Sequence, residues 1–438
     1  MKKIHYFLFM TIIVSLMILG LIIPLRPDYS DTEKRELAKF PAFSVSGLLD
    51  GSYFTDIQTW YTDTYPLREP LIAGGNTIKR LYGLHDNEIH GDVAKEADEI
   101  PDEDTGEAKI IEAPIIEEIP EEEEQEVSDE TEEPEAGADG TVHVEPEAAG
   151  TVYIANKSGY EMYYFAKENA DYYASMINTV RSKLPSDVTV YDLLVPTSFG
   201  IMLDDEIQNS LGGSNQKQAM DYIYGKLNSD VKQVNCFDIL RRHNGEYIYF
   251  RTDHHWTALG AYYAYFQFCK EKGIKPHDIT EYETKDYEGF LGTFYAASNK
   301  SKELSDPDTL KVYIPMGTNT MHHISAEGEE LDWPIVCDVN NYSAGNKYSC
   351  FINGDNPYSQ IHNPEIHDGS SCVVIKESFG NAFVPFLVDN YEYVYVIDHR
   401  YYKGSVSSLI EEKGIKDVIF VNHLAFTKGF INNMLGLF

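Results

Sequence analysis

Residues 96–147 set the first limit on what this 438-residue chain can fold into. They hold 23 Asp/Glu and one Lys (Lys109), a net charge of −22 in 52 residues, punctuated by Pro101, Pro114, Pro120, Pro134 and Pro146. So charged a stretch, with few aromatics, buries too little apolar surface to offset the entropy of ordering, and self-repulsion keeps it extended. It is expected to be a disordered linker over 85–149. A solvated spacer is its simplest role; binding a cation or a partner is the alternative. The whole chain carries −36, which leaves −14 for the other 386 residues. Neither part suits counterion-release binding to nucleic acid, because phosphates are repelled.

Ahead of the linker, Tyr6 to Leu25 is a run of twenty uncharged residues, YFLFMTIIVSLMILGLIIPL. That length crosses the ~30 Å hydrocarbon core as a helix. Lys2 and Lys3 precede it, which places the N-terminus in the cytoplasm. A cleaved signal peptide is the competitor, but the run ends Ile-Ile-Pro-Leu-Arg-Pro, without a small-residue cleavage site. Residues 1–25 therefore read as a cytoplasmic N-terminus and transmembrane signal anchor. Either outcome puts everything after Arg26 outside the cytoplasm. Residues 26–84 form a juxtamembrane helical module in which Tyr53, Ile57, Trp60, Tyr61 and Tyr65 recur at helical spacing. The five cysteines are few and odd in number, so no disulfide framework is indicated. Cys337 and Cys350 either pair across a turn-rich stretch or stay separate buried thiols, and no spacing suggests zinc.

From Gly150 onward, strands alternate with helices. Thr189–Val195, Val231–Cys236, Cys372–Lys376, Tyr391–Asp398 and Asp417–Asn422 are apolar strand-like runs. Helical stretches lie at 216–227, 257–272, 379–388 and 405–413, with Thr257 as a cap. This is an α/β domain over 150–438, with a flavodoxin-like parallel sheet flanked by helices. Residues 295–370 interrupt the pattern with short β-like pieces and read as a β-rich insertion or a small accessory β element.

Two junctions can carry chemistry. Arg251-Thr252-Asp253-His254-His255-Trp256-Thr257 sits between the strand-like Tyr247–Phe250 and a helix start. A histidine base needs a carboxylate that fixes its tautomer, and Asp253 can reach His255 around a tight turn. At the second junction, strand Cys372–Lys376 ends in Glu377-Ser378-Phe379-Gly380-Asn381. Sites in open α/β sheets form at the carboxyl ends of strands. Backbone N–H groups at a helix start can hold an oxyanion, and Gly380 allows close approach. The bland alternatives are a satisfied loop histidine and a serine N-cap. A metal site of His254, His255 and a carboxylate is disfavoured, because adjacent side chains diverge along an extended chain. The manganese-dependent DHH phosphoesterases share Asp-His-His but need further aspartate clusters that have no match upstream.

The Asp-x-His-Trp string and the later Glu-Ser-Phe-Gly resemble the DHHW proteins, relatives of the AlgJ/AlgX alginate O-acetyltransferases. Glu33-Lys34-Arg35 with Phe40-Pro41, Asp63 with Pro66 and Arg68, Gly289-Phe290-Leu291-Gly292, and Asp398-His399-Arg400 look like that group too. The resemblance implies an SGNH-hydrolase-like fold of permuted order. It makes Ser378 the nucleophile, His255 the general base and Asp253 its orienting acid. Arg400, Trp256 and Asn381 are the candidate substrate-binding residues. Arg400 binds polysaccharide or positions its loop, Trp256 packs over His255 or is core, and Asn381 or Asn422 stands in for a hydrolase asparagine. Lys376-Glu377 departs from the Gly-Asp that usually precedes the serine, so the second oxyanion donor is open.

The expected function is extracytoplasmic O-acyl transfer, O-acetylating a cell-envelope or exported polysaccharide through an acyl-serine, with no cofactor and no metal. The resemblance implies a membrane-bound O-acyltransferase partner that supplies acyl groups. A carbohydrate acetylesterase is the hydrolytic variant, and a non-catalytic carbohydrate-binding or scaffold component is the alternative.

Overall fold

The computed structural model describes residues 152–438 apart from 326 and 327. It also describes 26, 29–30, 35–36, 39–41, 52–66, 87–90, 97–101, 106 and 108–111. The expected anchor at 6–25 lies outside the described residues, among which no helix is long and apolar enough to cross a membrane. Ser52–Asp63 is a helix, as its aromatic spacing predicts. Arg26 lies over the Trp60 ring at 4.0 Å and donates to Thr64 Oγ1 at 2.8 Å.

The α/β part begins with strands β1 (Asn87–His90), β2 (Val152–Ala155) and β3 (Ser158–Glu161), then helix α1 (Lys167–Lys183). Next come β4 (Thr189–Val195), α2 (Gln216–Tyr224), β5 (Val231–Gln233) and α3 (Ala258–Lys272). A β-rich stretch follows: β6 (Glu283–Phe290), β7 (Asp308–Ile314), β8 (Thr320–Ile324), β9 (Glu330–Pro334) and β10 (Tyr358–His362). The chain ends with β11 (Ser371–Lys376), α4 (Gly380–Leu387), β12 (Tyr393–Asp398), α5 (Val406–Lys413), β13 (Asp417–His423) and α6 (Lys428–Gly436).

Eight strands make one sheet in the order β9-β8-β10-β12-β11-β13-β4-β5. The five from β12 to β5 are parallel. Every residue of β11 and β13 is buried, so both faces of these strands are covered, which explains their nearly unbroken apolar runs. Counted from β11, the parallel strands run 2-1-3-4-5, the order of a doubly wound sheet whose switch point lies between β11 and β13. The chain enters this pattern at its fourth strand, β4, and finishes with the first three. Helix α3 packs on α4, while α1 packs on α2 and α6. Thr257 caps α3 by accepting from Gly260 N.

Three sequence expectations shift. The β pieces of 295–370 divide: β10 pairs antiparallel with β12 and extends the main sheet through β8 to β9, whereas β7 pairs with β6 in a separate two-stranded sheet. Their burial alternates or fades toward the edge, so no apolar run announces them. Tyr247–Phe250 is no strand but one side of a tight turn closed by a Tyr249–Trp256 bridge. Parts of the expected linker are also placed. Asn87–His90 pairs with β2, Asp98 N donates to Phe165 O at 2.9 Å and Ala108 N to Lys226 O at 2.9 Å. Ile111 N reaches Thr179 Oγ1 at 2.9 Å. Ile100, Ala108 and Ile111 pack on the core; a charge count over the segment hides these apolar anchors. Residues 112–149 of the expected linker lie outside the described residues. All five cysteines are buried and none is bridged.

Asp192 sits mid-strand in β4, fully buried, accepting from Tyr173 Oη at 2.6 Å. Burial pushes its carboxyl up to about 7, partly offset by that bond. The unfolded chain releases the same proton near ~3.9, so between these values the native state binds more protons and stability falls as pH rises. Wild type is expected to melt lower at pH 8 than at pH 5.5. Asp192→Asn keeps an acceptor for Tyr173 without the ionisation and should flatten that slope. Equal slopes in thermal melts of both proteins would refute the assignment.

Candidate active site

The turn of 251–256 is held from below by a buried carboxylate. Asp308, at the start of β7 and 0% exposed, accepts from Thr252 N at 2.8 Å, Thr252 Oγ1 at 2.7 Å and Arg251 Nε at 2.9 Å. Phe250 N donates to His255 O at 3.2 Å and Thr257 N to Ile248 O at 2.9 Å, which closes the turn. Asp253, His254 and His255 therefore project together rather than alternating as they would along a strand.

Asp253 Oδ1 lies 2.6 Å from His255 Nδ1 and accepts from His255 N at 3.0 Å. Its other oxygen accepts from Thr293 N at 2.8 Å and Thr293 Oγ1 at 3.1 Å. Burial alone raises this carboxyl's pKa, but the charges of His255 and His254 and the donated hydrogen bonds outweigh it. They hold the group well below the usual carboxylate range. A carboxylate that is ionised accepts only, so His255 Nδ1 carries a proton and Nε2 is the basic nitrogen. Nε2 is 2.8 Å from Ser378 Oγ.

His255 is enclosed by rings. Tyr348 lies on it at 4.0 Å and 10°, His254 at 3.8 Å and 35°. Tyr348 Oη donates to Ser378 O at 3.2 Å. Burial, reinforced by the charges of Asp253 and Glu377, pushes its pKa well up and keeps it a donor. His254 Nδ1 is 2.6 Å from Thr293 Oγ1. Because that hydroxyl gives its proton to Asp253, it accepts from His254.

Ser378 stands in the turn between β11 and α4, at the carboxyl end of β11 beside the switch point. Glu377 pins this turn: its Oε2 accepts from Phe379 N at 3.1 Å and lies 3.1 Å from Ser378 Oγ, and its Oε1 accepts from His423 N at 3.1 Å. One carboxylate thus ties the ends of β11 and β13 together. A Cβ at Gly380 would sit 2.5 Å from Lys376 Cβ, so the helix start comes against the strand it follows.

The other sequence candidates lie around this centre. Trp256 is fully buried, and its Nε1 donates to Phe379 O at 2.9 Å, linking the histidine turn to the serine turn. The ring stacked flat on His255 is Tyr348 instead. Arg400 Nε and Nη2 donate to Asp398 at 2.9 and 2.8 Å, and Nη2 pairs with Asp355 at 3.1 Å. Lys376 Nζ pairs with Asp398 at 2.8 Å and Asp355 at 3.3 Å. Against its burial, Asp398 is held well below the usual range by Lys376 and Arg400. Asn381 Nδ2 is given to Asp355 Oδ1 at 2.9 Å, and Asn422 Nδ2 faces Met434 Sδ at 3.4 Å. Asp355 therefore gathers Lys376, Asn381 and Arg400.

Donor atoms of Asp253, His254 and His255 lie within 4.8 Å of one another. The expected divergence of the two histidines fails because the backbone turns between them. The Asp253 and His255 atoms of this group are nonetheless engaged with each other and with Ser378.

Thr293, Tyr348, Asp308 and Asp355 escaped the sequence analysis. Gly292 was the available signal for Thr293: a Cβ there would fall 2.1 Å from Asp253 Oδ2. Tyr348 belongs to a 3-10 turn, Ala344–Cys350, in a region with no periodic pattern.

A family model described as DHHW protein matches residues 33–397. A DHHW family protein from Eubacterium siraeum DSM 15702 is similar in structure, with TM-score 0.59 and 30% identity, covering 66% of this chain and 95% of that one. PatB1 of Bacillus cereus, in a structure with a sulfonyl adduct, has TM-score 0.54 and 19% identity over 64% of this chain and 96% of its own. The O-acetyltransferase domain of Pseudomonas putida AlgJ matches at 12% identity over 62% and 89%, with TM-score 0.31, too low to argue a shared fold. No curated protein matches the chain.

Gly292→Ala is expected to drive a methyl into the Asp253 carboxylate and part it from His255. The downfield imidazole proton resonance of the Asp253–His255 bond should vanish while most other resonances stay. Survival of that signal in a folded variant would contradict the close approach.

Proposed function

The chain belongs to the DHHW protein family, and on that premise we propose that it is an extracytoplasmic O-acyltransferase that O-acetylates a cell-envelope or exported polysaccharide. The observation that carries this is the alignment of Asp253, His255 and Ser378, at 2.6 and 2.8 Å across the two ring nitrogens. The permuted 2-1-3-4-5 strand order supports an SGNH-hydrolase-like fold, with the serine following the first strand of the set.

In the proposed reaction, His255 Nε2 takes the Ser378 hydroxyl proton as Oγ attacks the carbonyl carbon of an acyl donor. Asp253 stays ionised and stabilises the imidazolium. The imidazolium then protonates the leaving group, and the acyl group rests on Ser378 as an ester. A sugar hydroxyl next gives its proton to His255 Nε2 and attacks the ester carbonyl. Oγ leaves and recovers the proton from the imidazolium. Trp256, Asn381 and Arg400 act through what they hold: the first joins the two turns, and the others share Asp355 beside α4.

The apolar run at 6–25 is proposed to anchor the chain in a single pass, with the α/β domain outside the cytoplasm. The anchor keeps the domain near a membrane-bound O-acyltransferase that supplies acyl groups, and the acidic stretch sets its reach.

The test is mass spectrometry of the full chain in detergent after exposure to 4-nitrophenyl acetate. Wild type should gain an acetyl group on the Ser378 peptide, and Ser378→Ala should not. His255→Ala should slow acylation by about 10²–10⁴-fold. Release of the acetyl group to an oligosaccharide marks a transferase, and release only to water an esterase. An adduct that persists in Ser378→Ala, or none on folded wild type, would sink the proposal.

A further inference from the structure

Cys337 and Cys350 face each other across a short antiparallel pairing outside the named strands. Val336 and Phe351 form an isolated antiparallel bridge, and Ile352 N donates to Ile335 O at 2.7 Å on one side of it. On the other side Cys337 N donates to Cys350 O at 2.9 Å. The register therefore sets Cys337 opposite Cys350 with one of the two bonds of a hydrogen-bonded antiparallel pair made; in such a pair Cα atoms are ~5.5 Å apart and side chains leave the same face. A disulfide needs Cα atoms about 4.4–6.8 Å apart. Both residues are buried, so each thiol is already out of solvent.

We propose that Cys337 and Cys350 are the site of a reducible disulfide that braces the turn holding Tyr348 against His255. Cys350 is the last residue of the Ala344–Cys350 turn, and Tyr348 two positions earlier covers the imidazole face. Tyr348 also packs on Phe351, the residue that forms the bridge between the two cysteines' strands. A covalent bond at 337–350 would fix both ends of this unit. Side chains in a hydrogen-bonded pair start with Cβ atoms near ~5.5 Å, whereas a disulfide draws them to about 3.8 Å.

Burial raises both thiols' pKa, Cys350 most. Thiolates are scarce once the turn is packed, so the bond forms as the chain folds. The oxidant is a small-molecule disulfide such as oxidised glutathione. One cysteine thiolate attacks it and expels a glutathione thiolate. The second attacks the resulting mixed disulfide and expels the other. Two electrons pass from the cysteine pair to glutathione, and the two thiol protons end on the two released glutathione molecules.

The experiment refolds the full chain in glutathione redox buffer or in excess reductant, alkylates free thiols, and digests for mass spectrometry. The redox-buffered sample should give a 337–350 linked peptide two mass units below the dithiol, with Cys236, Cys269 and Cys372 alkylated. Hydrogen exchange over 344–350 should be slower in that sample than in the reduced one. Cys337→Ala and Cys350→Ala, made separately, should each abolish the link and the exchange difference. Alkylation of both cysteines in the oxidised sample, or equal exchange with and without the link, would overturn the proposal. None of these readouts depends on acyl transfer.

Discussion

The site depends on one buried carboxylate. Asp253 receives hydrogen bonds from His255 N and Nδ1 on one oxygen and from Thr293 N and Oγ1 on the other. A carboxylate out of water is costly unless its lone pairs are met, and four donors meet them. Meeting them specifies where the two loops stand. Thr293 can approach only because Gly292 has no Cβ, and the ring of His255 can turn only so that Nε2 faces Ser378. The charge, the tautomer and the loop geometry are one constraint seen from three sides.

The sheet supplies the other half. Ser378 follows β11, the strand that counts as first in the 2-1-3-4-5 order, and β13 lies beside it on the side of the switch point. Glu377 spans that crevice to His423 N. A permuted chain keeps the spatial arrangement while changing which loops are near in sequence. This is why the histidine turn, 123 residues before the serine, can still meet it at 2.8 Å.

Much of this was legible in the sequence, and the legible parts share a cause. β4, β11 and β13 were found to within one residue because strands covered on both faces are continuous apolar runs. Asp253, His255 and Ser378 stood out because each closes or follows a strand-like element. Strands β8 to β10 went unseen as members of the sheet, since pairing at an antiparallel edge leaves half-exposed residues and no hydrophobic block. The docked anchors Ile100, Ala108 and Ile111 were masked by the acidic residues between them. Tyr348 and Asp355 come from a 3-10 turn and the loop after it, where residue type carries no period. Their positions follow from long-range packing on His255 and Arg400, which spacing does not encode.

The acidity that dominates the composition has a counterpart inside the fold. Asp308 holds the turn before His255, Asp253 holds the His255 ring, Glu377 holds the serine turn, and Asp398 with Asp355 holds Lys376, Arg400 and Asn381. Each spans segments distant in sequence. A hydrophobic contact would bring the same loops together but tolerate a shift or rotation, because it is non-directional. A buried carboxylate does not, because losing one donor leaves a charged oxygen unmet. Loops without regular secondary structure are thereby held by directional contacts, which a site assembled from separate turns requires.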